Sequence, residues 1–290
     1  MTTYRSPLLR RAALALLLAS AGLAPAPAAY AGGHAKAAPI YFPLSHRTVP
    51  ATPGTTAQGR ACIFEGTGTV TEDPGSACTG TFRNITPPLP PAFVSSLLYS
   101  AKASMTNLGA GNKQLDAEVV NLGIAFVEAE VKDPITFAAE LTPDLINVNV
   151  TLDMDVQADA NATSLAETSF LSDLTGPDQL FDIRLLASHG GTTTLQLTVS
   201  PYLIAQGWNQ ATLESDLNAA LAAGGGTSLT GFVLPAMTFI QPANTELNLF
   251  GNGLAQVVTV PEPGTCALLL AGALGAWLPG RRIRRGKANS

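Results

Sequence analysis

Histidine, cysteine and positive charge are all scarce in this 290-residue sequence. It contains three histidines and three cysteines, and its sixteen Lys and Arg residues are outnumbered by twenty-one Asp and Glu residues. No G-x-S-x-G, H-E-x-x-H or Gly-rich phosphate-loop motif occurs, which argues against the common serine hydrolases, zinc proteases and nucleotide hydrolases. We therefore expect no catalytic residue and no cofactor, and we interpret the protein as non-enzymatic.

Positive charge is scarcest in the body of the chain, between residues 32 and 260. This stretch contains eight Lys and Arg against twenty Asp and Glu, a net charge of about −12. Because nucleic-acid binding needs cations that neutralise phosphates, the composition excludes a nucleic-acid partner. The acidic surface suits an exported protein that meets divalent cations or cationic partners, and equally one that is merely soluble.

The N-terminal end has the features of an export signal. A basic segment with Arg5, Arg10 and Arg11 precedes the apolar run Ala12–Ala19. Ala29-Tyr30-Ala31 is a small-x-small site, so we expect a signal peptide over 1–31, exported by the Sec machinery and cut by signal peptidase between Ala31 and Gly32. Ala24-Pro25-Ala26 is a weaker alternative site because proline lies within it.

The C-terminal end combines a short polar motif, an apolar run and a basic cluster. Pro261-Glu262-Pro263 precedes the run 265–278, and the basic end 281–287 follows with Arg281, Arg282, Arg284, Arg285 and Lys287. Fourteen helical residues span about 21 Å, which is short for a hydrocarbon core of about 30 Å. The arginines should stay cytoplasmic, which places the motif outside. The alternatives are an anchor that is never cut and a buried helix, and the basic residues argue against the helix.

This order of motif, span and basic end, over residues 259–290, resembles the PEP-CTERM sorting tail of Gram-negative surface proteins. The resemblance implies that Pro261, Glu262 and Pro263 are recognised by exosortase, a membrane-bound processing enzyme. It also implies that the protein is anchored in the inner membrane in transit and then reaches the cell surface or extracellular matrix. Members of that family tend to occur in bacteria that make exopolysaccharide, so a biofilm-associated role is expected.

The body is predicted to be all-β. Many short apolar segments separated by Gly and Pro turns favour a β-sandwich-like domain of mostly antiparallel strands over 60–258. The clearest segment is 147–161, where polar and apolar residues alternate, as in a strand with one wet face that ends near Gln157. One amphipathic helix is predicted over Asn209–Ala223. Residues 32–59, rich in Ala, Pro, Gly and Thr, are interpreted as a flexible lead-in.

Two of the three cysteines lie in the body. In an oxidising compartment Cys62 and Cys78 should form a disulfide, and the closed loop of about 16 residues would contribute roughly 3 kcal/mol in the chain-entropy model. The alternative is two free thiols.

Three carboxylates share one face of the alternating segment. Asp153, Asp155 and Asp159 are two or four residues apart, so they are weak candidates for a calcium site, although the loop lacks the glycine and glutamate of an EF-hand. The competing interpretation is a solvated strand face. One alternative function is a calcium-stabilised adhesion module. The other is a carbohydrate-binding or carbohydrate-active β-sandwich, with extracellular polysaccharide as a partner.

Overall fold

The computed structural model describes residues 32–45, 57–65, 70–72, 82–85, 90–95, 98–109, 112–122, 125–173 and 178–259. These residues are mostly strands, all of them paired antiparallel, which confirms the all-β fold class. The strands are β1 Gly33–Ala37, β2 Ile40–Ser45, β3 Gln58–Glu65, β4 Val70–Glu72, β5 Arg83–Asn84, β6 Ala92–Ser95, β7 Tyr99–Gly109, β8 Asn112–Asn121, β9 Ala125–Phe137, β10 Asp144–Ala158, β11 Ala162–Ser172, β12 Asp178–Ser188, β13 Thr194–Val199, β14 Ser228–Val233, β15 Met237–Gln241 and β16 Leu247–Thr259. The helices are α1 Pro201–Ala205 and α2 Gln210–Ala223.

The strands form two sheets that enclose one core. In the first sheet, β1 and β2 follow one another along a single line between β10 and β8, β7 and β6 continue beyond β8, and β14 and β15 share the other side of β10. In the second sheet the order is β13-β12-β11-β16-β9-β3, and both β4 and β5 pair with β3. Buried apolar side chains from both sheets pack in one cluster between them.

The alternating segment predicted from the sequence is the core of strand β10. Its even-numbered side chains from Ile146 to Val156 are at most 1% exposed, and the odd-numbered ones face outward. The strand ends at Ala158, one residue after the predicted end. Period-two burial of this kind follows from the pleat, which points successive side chains to opposite faces.

The prediction of a flexible lead-in over 32–59 is wrong for 33–45. These residues form β1 and β2 in the centre of the first sheet, where Ala35, Ala37 and Tyr41 are at most 1% exposed. β3 also begins at Gln58, before the predicted domain boundary at residue 60. The backbones of β1 and β2 pair with strands that lie more than 70 residues away in sequence, and local composition does not reveal such partners.

The small residues that suggested a linker are instead required by the close approach of the two sheets. A Cβ on Gly33 would lie 2.5 Å from both Ser164 Oγ and Val257 Cγ1 of the second sheet. Gly33, Ala35 and Ala37 form the inward face of β1. Alanine and glycine here therefore reflect limited space in a packed core.

Aromatic rings and one buried ion pair connect the sheets. Tyr41 of the first sheet stacks on Phe170 of the second, with ring centroids 5.3 Å apart. The stack continues to Phe181 at 6.0 Å and to Trp208 at 6.1 Å. Nearby, Lys113 Nζ of β8 lies 3.0 Å from a carboxylate oxygen of the fully buried Asp133 of β9.

Two helices are present among the described residues, where one was predicted. The predicted helix is confirmed as α2, with Asn209 as N-cap accepting from Thr212 N at 3.0 Å. The shorter α1 lies beside β15, whose outer backbone edge it covers. Gln206 accepts from Thr238 N at 2.9 Å and donates to Thr238 O at 2.5 Å, much as a neighbouring strand would.

The predicted signal peptide 1–31 and the tail from residue 260 onward lie outside the described residues. So does Cys78. Cys62 is disulfide-bonded and 1% exposed, and its pairing with Cys78 stays a prediction because its partner is also outside that part of the chain. Within the described residues, neither helix has the length and apolar character needed to cross a bilayer.

Substituting Gly251 should destabilise the fold strongly. A Cβ there would lie 2.4 Å from Tyr41 Cζ, and this ring is held by its stack on Phe170. We expect Gly251→Ala to lower the free energy of unfolding by about 2–3 kcal/mol through overpacking. Gly253→Ala is the matched control on the same strand, with its nearest atom at 3.0 Å, and should cost less. Equal losses in urea unfolding would contradict this packing.

Candidate functional site

The three aspartates predicted as a calcium ladder do not converge. Asp153 Oδ2 lies 2.7 Å from Lys36 Nζ, and Asp155 Oδ1 lies 3.0 Å from His34 Nδ1. Asp159 instead accepts from the backbone N of Asn161 at 2.8 Å, in the turn after β10. No group of three or more His, Cys, Asp and Glu side chains in the described part of the chain is placed to hold a metal ion. Calcium binding by these aspartates stays a prediction, and their positions in the structure do not add support to it.

The outer face of the first sheet is a ladder of alternating charge. β10 contributes Asp153 and Asp155, β1 contributes His34 and Lys36, and the next strands contribute further carboxylates and a lysine. His34 Nε2 lies 3.4 Å from Glu118 Oε1 of β8. On the same strand, Asp116 Oδ2 lies 3.1 Å from Lys102 Nζ of β7. The sign thus runs negative, positive, negative, positive across four neighbouring strands.

His34 is held in its charged form by this ladder. Burial lowers the pKa of His34, but the hydrogen bonds and charges of Asp155 and Glu118 outweigh burial and raise the pKa to about 9. The hydrogen bond from His34 in turn lowers the pKa of Glu118. A histidine that is protonated at neutral pH cannot accept a proton from a substrate, so His34 acts here as a structural cation.

The outer face of the second sheet carries two arginine–carboxylate groups in line. Arg60 Nη2 lies 2.7 Å from both Glu128 Oε1 and Glu130 Oε2. Across the sheet, Arg184 lies 2.9 Å from Glu167 Oε2 and from Asp182 Oδ2. Burial raises the pKa values of Glu128, Glu167 and Asp182, in each case against the neighbouring arginine. We call these six residues the ionic strip.

A cleft lies beside the ionic strip on the same face. It has a volume of about 550 Å³ and spans strands β12, β11, β16 and β9. The lining residues are Lys132, Ser169, Leu171, Gln179, Phe250, Gly251 and Asn252. Phe250 is 39% exposed, which leaves its ring accessible, whereas Phe181 and Phe239 are fully buried.

The polar groups of the cleft are held with unequal strength. Lys132 Nζ lies 3.0 Å from Glu130 Oε1 and 4.3 Å from the ring centroid of Phe82, so it is fixed at one end of the cleft. The Asn252 amide donates only a long 3.5 Å hydrogen bond to Ser169 Oγ. Among the described residues its Oδ1 has no hydrogen-bond partner. This oxygen is buried, so the Asn252 side chain would have to rotate before the oxygen could accept a hydrogen bond from a ligand in the cleft.

Sequence reasoning missed the ionic strip and the cleft. Their residues come from five strands that are far apart in the chain, so no spacing brings them together. The segment from Glu128 to Lys132 does alternate charged and small apolar residues, which is the signal of a strand with one charged face. That signal predicts the outward direction of Glu130 but not its partner Arg60.

The charge of His34 should make stability depend on alkaline pH. Its stabilising contribution is complete below the unfolded pKa of 6.5 and is lost as the pH rises through about 9. We expect the free energy of unfolding to fall by about 2–3 kcal/mol over this window. His34→Asn should be less stable at pH 6 and nearly flat from pH 6.5 to 9.5.

His189→Asn is the matched control, because asparagine tolerates the positive φ of 52° in that exposed turn. It should retain the wild-type pH dependence in urea unfolding. A pH profile that is unchanged in His34→Asn would contradict the ladder.

Removing Arg60 should cost more than removing Arg184. The carboxylates of both groups are largely buried, but the Arg60 side chain is only 16% exposed whereas that of Arg184 is 43% exposed, so the Arg60 pairs are less screened by solvent. We expect Arg60→Met to cost about 2–4 kcal/mol and Arg184→Met about 1 kcal/mol at pH 7.

The cost of Arg60→Met should shrink as the pH falls toward 4, because protonation neutralises the Glu128 carboxylate, whose pKa burial already raises. Thermal unfolding of both variants at pH 7 and pH 4 is the measurement. Equal costs, or a cost for Arg60→Met that grows in acid, would refute the assigned role of the strip.

Searches of protein-family models, curated proteins and solved structures found no match to this chain.

Proposed function

We propose that this protein is an exported, non-enzymatic component of the cell surface or extracellular matrix, processed by exosortase. The observation that carries the proposal is the fit between the fold and the two processing signals. The first described strand begins at Gly33 and the last ends at Thr259, so the described strands lie between the predicted signals at Ala31 and at Pro261–Pro263. Cutting at either signal removes no residue of a described strand.

Both ends of the fold lie at the same end of the sandwich. Gly32 O accepts from Asp159 N at 2.8 Å, and Thr259 pairs with Ala162 at the other side of the same turn. A tail that enters the bilayer at Thr265 leaves residues 260–264 as its connection, which span at most about 18 Å. This end would therefore face the membrane until the tail is cut, and the opposite end would face outward.

The position of β1 also suggests an order of events. A processing enzyme binds an extended segment, but Gly33–Ala37 is paired on both sides between β10 and β8. Because Gly32 O also accepts a hydrogen bond from Asp159 N in the folded protein, we expect the predicted site after Ala31 to be cut more readily before β1 enters the sheet. Signal-peptide removal should precede completion of the fold, which is the natural order when the N-terminus is exported first.

The charged groups of the fold support a structural role. The carboxylates of Asp153, Asp155 and Glu130 each form an ion pair with a cation on the neighbouring strand. Each pair is a charge-assisted hydrogen bond between two strands, and together these bonds hold the side chains of the two outer faces in place. A durable matrix component needs this kind of fixed surface.

Intact-mass analysis of the protein from producing cells tests the proposal. We expect the extracellular form to begin at Gly32 and to lack the basic end 281–287. Alanine substitution of Pro261, Glu262 and Pro263 should leave the basic end in place and keep the protein with the membrane fraction. Substitution of the exposed Pro90 and Pro91 by alanine is the control and should be processed normally.

In pulse-labelled cells, loss of the signal peptide should come before protease resistance of the body. An extracellular protein that retains residues 281–287, or a motif variant processed like wild type, would disprove processing at this tail.

A further inference from the structure

The cleft on the second sheet combines an apolar wall with a polar floor. Leu171 and Phe250 are opposite each other on β11 and β16 and form the wall. The next outward pair along the same strands, Ser169 and Asn252, forms the floor, and Lys132 continues this row on β9. The Phe250 ring beside this row is 39% exposed.

The size and openness of this cleft fit part of a chain molecule. Its volume of about 550 Å³ lies within the range of small-molecule sites, roughly 300–1,000 Å³. It lies on the outer face of a sheet, and its row of polar groups runs across three strands. A ligand could therefore extend beyond the cleft along the row.

The charges exclude several classes of ligand. Lys132 is the only cation among the described lining residues, and it is already paired with Glu130. The ionic strip next to the cleft contains four carboxylates and two arginines, so a phosphate-rich or uronic acid polymer would meet net negative charge.

A neutral saccharide satisfies both halves of the lining. A sugar ring has an apolar C–H face that packs on an aromatic ring, and a rim of hydroxyls that both donate and accept hydrogen bonds. Amide and hydroxyl side chains match such a rim because each can donate and accept. Ser169, Gln179 and Asn252 supply these groups around Phe250.

We propose that this cleft is a binding site for a neutral saccharide chain, with Phe250 as the stacking platform and Asn252, Ser169 and Gln179 as the hydrogen-bonding groups. The inference stands on the cleft geometry alone. It holds or fails separately from the processing of the C-terminal tail.

Titration calorimetry of the purified secreted protein tests the site with maltohexaose and cellohexaose as neutral probes and polygalacturonate as the acidic probe. We expect binding of at least one neutral probe and none of polygalacturonate. Phe250→Ala should weaken that binding at least about tenfold, the loss of one aromatic contact. Gln179→Ala, at an exposed position, should weaken it several-fold.

Phe93→Ala is the matched control, because Phe93 is 49% exposed on the first sheet, away from the cleft. It should bind like wild type, and urea unfolding of all variants verifies that each is folded. Binding of polygalacturonate alone, no binding of either neutral probe, or equal weakening by Phe93→Ala and Phe250→Ala would each overturn the proposal.

Discussion

The first sheet depends on the two cations of strand β1, His34 and Lys36, which lie between two strands that carry carboxylates. β10 and β8 both present carboxylates on the outer face, and as direct neighbours they would repel. His34 and Lys36 place positive charge between them, and the inward side of the same strand brings only Gly33, Ala35 and Ala37 to the core. One short segment thus fixes the charge order outside and the sheet separation inside.

Some elements were predictable from the sequence because their signals are local. The alternation in β10 and the capped helix α2 needed only neighbouring residues, and both were confirmed. The strand β1 was missed because Gly, Ala and Lys are depleted in strands and its partners lie far along the chain. The same limit hid the cleft, whose residues Lys132, Ser169 and Phe250 meet only through strand pairing.

The two outer faces differ in what they can do. On the first sheet His34, Lys36 and Lys102 pair with carboxylates of neighbouring strands, and two of the aspartates that suggested calcium have cations beside them. On the second sheet the arginines bind carboxylates in the same way, but the adjoining row ends in a cleft with an exposed aromatic ring. The first sheet thus presents a paired, charged face, and the second presents the cleft to which we assign ligand binding.

Amide hydrogen exchange of the purified protein tests the central role of the first strand most directly. The account predicts that the backbone amides of 33–37 exchange as slowly as those of the β10 residues 154–158 that face them, because both belong to the most stable part of the sheet. Exchange of 33–37 as fast as that of the exposed turn 189–193 would show that the segment is a loose terminus, and would contradict the account.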